Sequence, residues 1–512
     1  MMRIGIDVGG TNTDAVIIED GVVRHAVKSP TTADVTSGIS RSLGDLCAVA
    51  GIPVSEIGAV MIGTTHFTNA VVQRRNLGRV AAVRIGLPAA ATLPPFVDWP
   101  PDLRELVRGP VHMVRGGYEV DGRPIVPFDR AGMRAAAQAI AASGVGAAAV
   151  SCVFSPLNSD LENEAGEILR EECPQVAVTL SHELGRIGLL ARENVSLLNA
   201  SLFAMARGTI AAFVDAIAKA GIAAPLFITQ NDGTVVAAEE AVAFPVRSFS
   251  SGPTNSLRGA AFLSGLENAV VVDVGGTTAD VGSLVRGFPR EANNVVYVGG
   301  VRTLFRMPDL ISIGLGGGTL CDPEDPNRIG PRSVGFRLPE RGRVFGGPDL
   351  TCTDLAVAAA LIELGDRKLV ADLDRSYLRA ALDRMRTMLA EAVDRVKTDA
   401  RAVPLVAVGG GAFLIPDSLP GVSEVVRVPN AGVANAVGAA IAQVSGEVDQ
   451  IFTDMERTKA VATARERAES NAVRAGALAS SIKLVEMEDI PLAYLPGNSL
   501  RVRVRVVGDV RT

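Results

Sequence analysis

Two stretches of the chain carry the same arrangement of chemistry-bearing residues. The first is Asp7-Val8-Gly9-Gly10-Thr11-Asn12-Thr13-Asp14; the second, far downstream, is Asp273-Val274-Gly275-Gly276-Thr277-Thr278-Ala279-Asp280. Glycines remove Cβ atoms, so successive backbone N–H groups can close on an anion, and a threonine hydroxyl adds a donor. The aspartate leading each turn can hold Mg2+ through water, because that ion prefers carboxylate oxygens and keeps much of its hydration. One Gly-Gly-Thr turn alone is compatible with a plain hairpin. Two copies with both aspartates in register point to a pair of turns that grip a polyphosphate from opposite sides.

The elements that must position these turns follow from the flanking pattern. Each copy lies between apolar runs, residues 4–6 and 15–18 for the first and 269–272 and 281–285 for the second, which reads strand, tight turn, strand. Residues 22–27 offer a third strand beyond Asp20-Gly21, followed by a helix over 34–49 and a strand at 59–62. Gly63-Thr64-Thr65-His66 then opens a helix whose first amides favour an anion, with Thr64 or Thr65 as its cap. His66 in that first turn is either a general acid/base or oxygen-polarising donor, or a structural imidazole.

Residues 87–130, rich in proline and containing the single tryptophan, Trp99, read as a lid or a subunit contact. Alternating helices and strands over 130–180 imply a parallel or mixed sheet with covered faces. Ser181-His182-Glu183 closes the last of these strands at its C-terminal mouth, where a structural role at a domain interface is favoured. A long helix over 189–220 carries Arg192, Glu193, Asn194 and Asn199 in its early turns and reads as the link into the second half. Arg186 and Arg192 could neutralise phosphate or pair with carboxylates. Further glycine turns lie at 314–319 and 409–411. From 447 onward a charged helix to about 480 and two strand-like runs, 482–487 and 500–507, read as a small appended unit.

A chain of 512 residues has room for two or three domains. A hydrophobic content of 48% with 53 glycines describes a globular α/β protein. A net charge of −6 leaves no electrostatic footprint for nucleic acid. Cys47, Cys152, Cys173, Cys321 and Cys352 form no C-x-x-C pair and read as thiols, neither a disulfide frame nor a zinc site. The chain opens on an apolar run without a basic leader, so no signal peptide is expected. The bilayer-length stretch 135–154 is broken by Gly144 and Gly146. A cytoplasmic protein with neither nucleic-acid nor membrane partners is the expectation. No Walker A loop, H-E-x-x-H or G-x-S-x-G motif occurs.

The duplicated hairpin resembles the signature of the actin, sugar kinase and Hsp70 ATPase superfamily. That resemblance implies an α/β fold of two actin-like (ribonuclease H-like) ATPase domains facing an ATP cleft, plus a small C-terminal α+β tail, divided here as 1–188, 189–445 and 446–512. Several elements come in one order: residues 7–14, Gly63-Thr64-Thr65 with Asn69-Ala70, Arg192-Glu193-Asn194 with Asn199-Ala200, Ser251-Gly252-Pro253, residues 273–280 and 314–319, Thr353-Asp354 and Gly409-Gly410-Gly411. Together they resemble the hydantoinase A and 5-oxoprolinase family, which also includes subunits of acetone and acetophenone carboxylases and of an ATP-dependent lactamase. Asn12 stands where that family usually carries Phe, and the C-terminal region is shorter than in many of its members.

The family resemblance implies ATP and Mg2+ as cofactors. Asp7 and Asp273 would hold the metal and orient water, with His66 as a further catalytic candidate. Gly9, Gly10, Thr11, Thr13, Gly275, Gly276, Thr277 and Thr278 would hold phosphates, and Gly316, Gly317, Gly409, Gly410 and Gly411 would approach the nucleoside. The implied reaction is ATP-assisted opening of a cyclic amide or imide, such as a hydantoin, 5-oxoproline or a related lactam. Phosphorylating the carbonyl oxygen creates a leaving group and an electrophilic carbon for water, and the transfer needs chiefly positioning and charge neutralisation. The implied partners are the small cyclic amide, a second subunit of hydantoinase/oxoprolinase type, and another copy of this chain. Two rival readings stand beside it: a small-molecule kinase with Asp232 or Asp309 as base, and an ATP-driven activating subunit of a carboxylase-type complex.

Overall fold

The first motif is an antiparallel hairpin, Met2–Val8 with Asn12–Glu19, and Val22–Pro30 pairs antiparallel with its second strand. Ile57–Thr64 runs parallel to Met2–Val8, and Leu226–Thr229 runs parallel to Ile57–Thr64. The second motif repeats this order. Ala269–Val274 and Ala279–Val285 form the hairpin, Leu310–Ile313 pairs antiparallel with its second strand, Val403–Val408 runs parallel to its first, and Val422–Arg427 runs parallel to Val403–Val408. Strand order and strand direction therefore agree between the halves, the ribonuclease H-like arrangement in duplicate. The chain is an α/β protein built on two actin-like halves. In this computed structural model, residues 2–9, 12–30, 35–185, 187–292, 295–304, 306–493 and 497–511 are described; Gly10, Thr11 and Arg186 lie outside the described residues.

The first sheet crosses both expected domain boundaries. The first sheet has nine strands, because Leu226–Thr229 and Thr234–Ala237 join it from beyond residue 188 and Gln443–Phe452, Leu500–Gly508 and Lys483–Pro491 extend it further. The C-terminal segment is thus a continuation of the first sheet, and the helix expected over 447–480 gives way to a strand before Arg457–Arg474 begins. That helix packs onto the sheet with an alanine at every fourth position, Ala460, Ala464, Ala468 and Ala472, all buried. Ion pairs stitch the same segment to the second half. Arg306 meets Glu291, Glu447 and Glu486, and Arg503 meets Glu291 and Glu486.

Residues 80–180 fold into a separate four-stranded parallel sheet in the order Arg108–Arg115, Val80–Leu87, Ala147–Cys152, Ala177–Leu180. The stretch expected as a lid is part of this core. It supplies the helix Pro101–Val107 and an edge strand, and Trp99 is buried edge-on against Phe96 with its Nε1 donating to Asn194 Oδ1 at 2.7 Å. The 31-residue helix Leu189–Lys219 does not lead into the second half; it returns the chain to the first sheet at Leu226–Thr229. It is long and apolar enough to cross a bilayer, yet residues 191–202 are all buried within the protein. The helix wedges between the parallel sheet and the first half as a core element.

Two helices fill the space between the halves, Ser251–Ser264 and Ala434–Ala440. They cross at near backbone contact: a Cβ added to Gly438 would lie 1.8 Å from the Asn255 carbonyl oxygen, and one added to Gly259 would lie 1.8 Å from that of Ala434. No rotamer relieves a clash with backbone. Gly438→Ala is therefore expected to cost more than about 3 kcal/mol and to abolish the sharp thermal transition of the wild type, as followed by circular dichroism.

Candidate functional site

Asp7 stands opposite Asp14 in the first hairpin, and Asp273 opposite Asp280 in the second. Registered partners point to the same face of a sheet, so each hairpin presents two carboxylates to the crossing helices. The helix Ser251–Ser264 reaches both halves with consecutive residues. Asn255 Nδ2 donates to Asp7 Oδ1 at 3.4 Å, and the Ser256 hydroxyl donates to Asp273 Oδ2. From the other crossing helix, Asn435 Nδ2 donates to Asp7 Oδ2 and to Asp14 Oδ2, each at 3.0 Å. The two leading aspartates therefore meet at the junction of the two halves, held by consecutive residues of one helix.

Burial, then repulsion from Asp14 and also from Asp273, pushes the Asp7 carboxyl up to about 7. Burial and then Asp273 push Asp280 up to about 6, and burial also raises Asp273. Carboxylates from opposite halves thus sense one another, a strain that a cation between them relieves. Asn255 Oδ1, on the side chain that binds Asp7, is buried without a hydrogen-bond partner, which suits an ion with its water shell. Among the described residues, no three His, Cys, Asp or Glu side chains converge closely enough to ligate a metal directly. A Mg2+ in this cleft would be held by Asp7 and Asp273 through water, a mode that ion favours.

The remaining glycine and threonine positions take different places. Both turns close alike, with Gly9 N donating to Asn12 O at 3.0 Å and Gly275 N to Thr278 O at 2.9 Å. Thr277 is exposed at the second tip, with Gly275, Gly276 and Thr278 half-buried around it. Thr13 falls on the face opposite Asp14, its hydroxyl buried and unpartnered, so the register parts it from the carboxylates. Gly316 and Gly317 are buried against the second hairpin, where Gly317 N donates to Gly275 O at 3.0 Å and Gly318 N to Gly276 O at 2.7 Å; they buttress that turn. Gly409 adopts φ +91°, and a Cβ there would lie 2.2 Å from Asp273 Oδ1, so only glycine lets the third turn sit directly behind that aspartate. Gly411 N donates to Val274 O at 2.7 Å, whereas Gly410 faces open space.

His66 begins the helix His66–Gln73, two residues beyond Thr64, the partner of Val8 in the register beside Asp7. Thr64 Oγ1 lies 2.6 Å from His66 Nδ1 and takes the His66 backbone N–H, while Thr65 makes no side-chain cap bond. Burial lowers the His66 pKa and so favours the uncharged ring.

The polar early turns of Leu189–Lys219 serve the interior. Arg192 donates to Ser181 Oγ and the Cys152 carbonyl, Glu193 pairs with buried Arg84, and Asn199 donates to Thr179 and the Ala243 carbonyl. His182 Nδ1 is fixed 2.8 Å from Glu162, whose carboxylate also takes the Ser181 hydroxyl and the Cys152 N–H. Asp232 is engaged by Thr234 and Arg505, and Asp309 by Arg290. Sequence reasoning missed Asn255, Ser256 and Asn435 as site residues; Asn255-Ser256 follows the Ser251-Gly252-Pro253 motif after a single residue, Thr254, which was the available signal.

Residues 3–173 match the family description "Hydantoinase/oxoprolinase N-terminal region", and residues 192–366 match "Hydantoinase/oxoprolinase". The chain is 29% identical over 395 residues to the acetophenone carboxylase gamma subunit of Aromatoleum aromaticum, covering 70% of this chain and 53% of that protein. It is 28% identical over 416 residues to the caprolactamase subunit alpha of Pseudomonas jessenii, covering 76% and 58%. The chain thus spans little more than half the length of these relatives. Among solved structures, the ATP-dependent caprolactamase of Pseudomonas jessenii superposes with a TM-score of 0.78 at 20% identity over 99% of this chain and 87% of that one. Nucleotide-free acetone carboxylase superposes with a TM-score of 0.71 at 18% identity over 100% and 88%. With twin hairpins, crossing helices and both matched regions in one order, the chain belongs to the hydantoinase/oxoprolinase family.

Proposed function

We propose that this chain is the ATP-consuming component of a cyclic amide or imide hydrolase. The observation that carries the reading is the pair of aspartate-bearing hairpins facing one cleft, tied to a single helix by Asn255 and Ser256. When bound, Mg2+-ATP supplies an electrophilic phosphoryl group for the carbonyl oxygen of the ring. Asp7 and Asp273, one from each half, would hold the hydrated metal. Gly9, Gly275 and Gly276, with Thr277, would receive the phosphates, and Gly409 to Gly411, of which Gly409 packs against Asp273, would approach the nucleoside. His66, two residues beyond the strand beside the first hairpin, would donate a ring N–H to the carbonyl oxygen of the substrate ring.

The caprolactamase relative favours a lactam substrate, and the names of both sequence relatives, each a subunit, favour a second chain in the working enzyme. The carboxylase relative supports a second reading, in which the same phosphoryl group activates a ketone for carboxylation. A kinase reading is weakened because Asp232 and Asp309 are both occupied by arginines.

The test incubates the purified chain with Mg2+-ATP and, separately, hydantoin, 5-oxoproline, caprolactam, a ketone with bicarbonate, and sugars. Phosphate release stimulated by a ring compound, with the open-chain acid seen by mass spectrometry, is expected. Accumulation of a stable phosphorylated sugar or acid would overturn the reading, and carboxylated ketone would replace it with the second one.

A further inference from the structure

The duplication provides an internal control on the site. In the first half one row of registered residues crosses the sheet: Gly63, Asp7, Asp14, Lys28. In the second half the corresponding row is Val408, Asp273, Asp280, Ser312. The aspartates are repeated, but the residue beyond them is not. Ser312 supports Asp280 with a hydroxyl, so the fold itself asks only for a small hydrogen-bond donor at this position. Lys28 is therefore not explained by the architecture.

Its placement is that of a ligand-facing cation. Lys28 Nζ lies 2.5 Å from Asp14 Oδ1, and its side chain is 37% exposed whereas that of Asp14 is 5% exposed. Registered side chains share a face, so Lys28 projects to the side that carries Asp7 and Asp14. Its charge also reaches the second half, where it offsets a small part of the rise that burial imposes on the Asp273 carboxyl. Asp14 holds the ammonium on one side while Asn435 holds Asp14 on the other. An ammonium pinned this way is a point charge beside the phosphate turns, in a chain without a Walker lysine.

We propose that Lys28 is the cation with which this cleft neutralises a bound phosphate chain, the second positive charge beside the metal. The proposal rests on the nucleotide reading of the cleft. Phosphoryl transfer spreads charge over the equatorial oxygens, and a fixed ammonium stabilises that charge without reorganisation.

The experiment compares wild type with Lys28→Ser, which copies the second half, and with Lys28→Arg. The readouts are binding of a non-hydrolysable ATP analogue and of ADP by titration calorimetry in Mg2+, the thermal midpoint, and phosphate release. Lys28→Ser is expected to keep a cooperative melt, because the second half already folds with serine there. It is expected to lose about 10- to 100-fold in affinity for the triphosphate analogue. Lys28→Arg, which keeps the charge but not the compact ammonium, should fall between them. Triphosphate affinity within twofold of wild type in both variants, whatever their melting points, would overturn the proposal and leave Lys28 as a partner for Asp14 alone. Wild type that binds neither nucleotide would instead overturn the nucleotide reading, and this proposal with it.

Discussion

Replacing Asp273 by alanine is expected to lower ATP turnover by about three orders of magnitude or more while leaving the fold intact. The reasoning combines position and cost. Asp273 ends the first strand of the second hairpin, is held by Ser256, and has Gly409 packed directly behind it. In the proposed site it is paired with Asp7, so its loss would remove one of the two carboxylates that hold the metal. Burial already disfavours its charge, so removing the carboxylate relieves the folded state of an unfavourable group. The check is phosphate release beside a thermal melt: a normal melt with no turnover is the expected result, and undiminished turnover would refute the assignment of the hairpins as the phosphate cradle.

The second large effect is on stability. Asp7 has its pKa pushed up from 3.8 to about 7, so its folded state binds a proton that the unfolded chain has already released. A carboxylate raised in this way makes its largest favourable contribution below the unfolded pKa, and that contribution is lost as pH rises from about 4 through 7. Without divalent ions, wild type should therefore lose stability over that window relative to Asp7→Asn, by about 4 kcal/mol at most at pH 8. Adding Mg2+ with nucleotide should close the gap, because the cation favours the ionised form. Denaturant titrations of both proteins across pH, with and without Mg2+-ADP, measure this. A constant difference between the two curves would count against the burial of Asp7 as its dominant perturbation.

How much of this was readable beforehand depends on sequence distance. The hairpins were legible because their glycines and aspartates lie within eight residues of each other and recur in register. Asn255 and Asn435 were not, because they meet Asp7 from 248 and 428 positions away, and a polar residue in an Ala- and Gly-rich helix looks the same whether it faces water or a buried carboxylate. Lys28 was hidden for a more local reason. Counting back from the Asp20-Gly21 turn sets Val27 opposite Asp14, but a bulge between Ile17 and Ile18 shifts the pairing by one residue and turns Lys28 to the site. The C-terminal strands read correctly as strands, yet their place in the first sheet is a non-local pairing with no signature in the segment itself.

The nine-stranded sheet carries a consequence for how the chain is made. Thr234–Ala237 has its outer partner in Gln443–Phe452, more than 200 positions later. While the ribosome is still translating the second half, the first sheet is an unfinished template with a bare edge, and such edges recruit other strands. The edge at Gln443–Phe452 is itself not covered until Leu500–Gly508 has left the exit tunnel. The sheet that carries the Asp7 hairpin is thus completed only after the second hairpin has been made, so stop codons or frameshifts just after the second hairpin should yield insoluble chains instead of half-active ones.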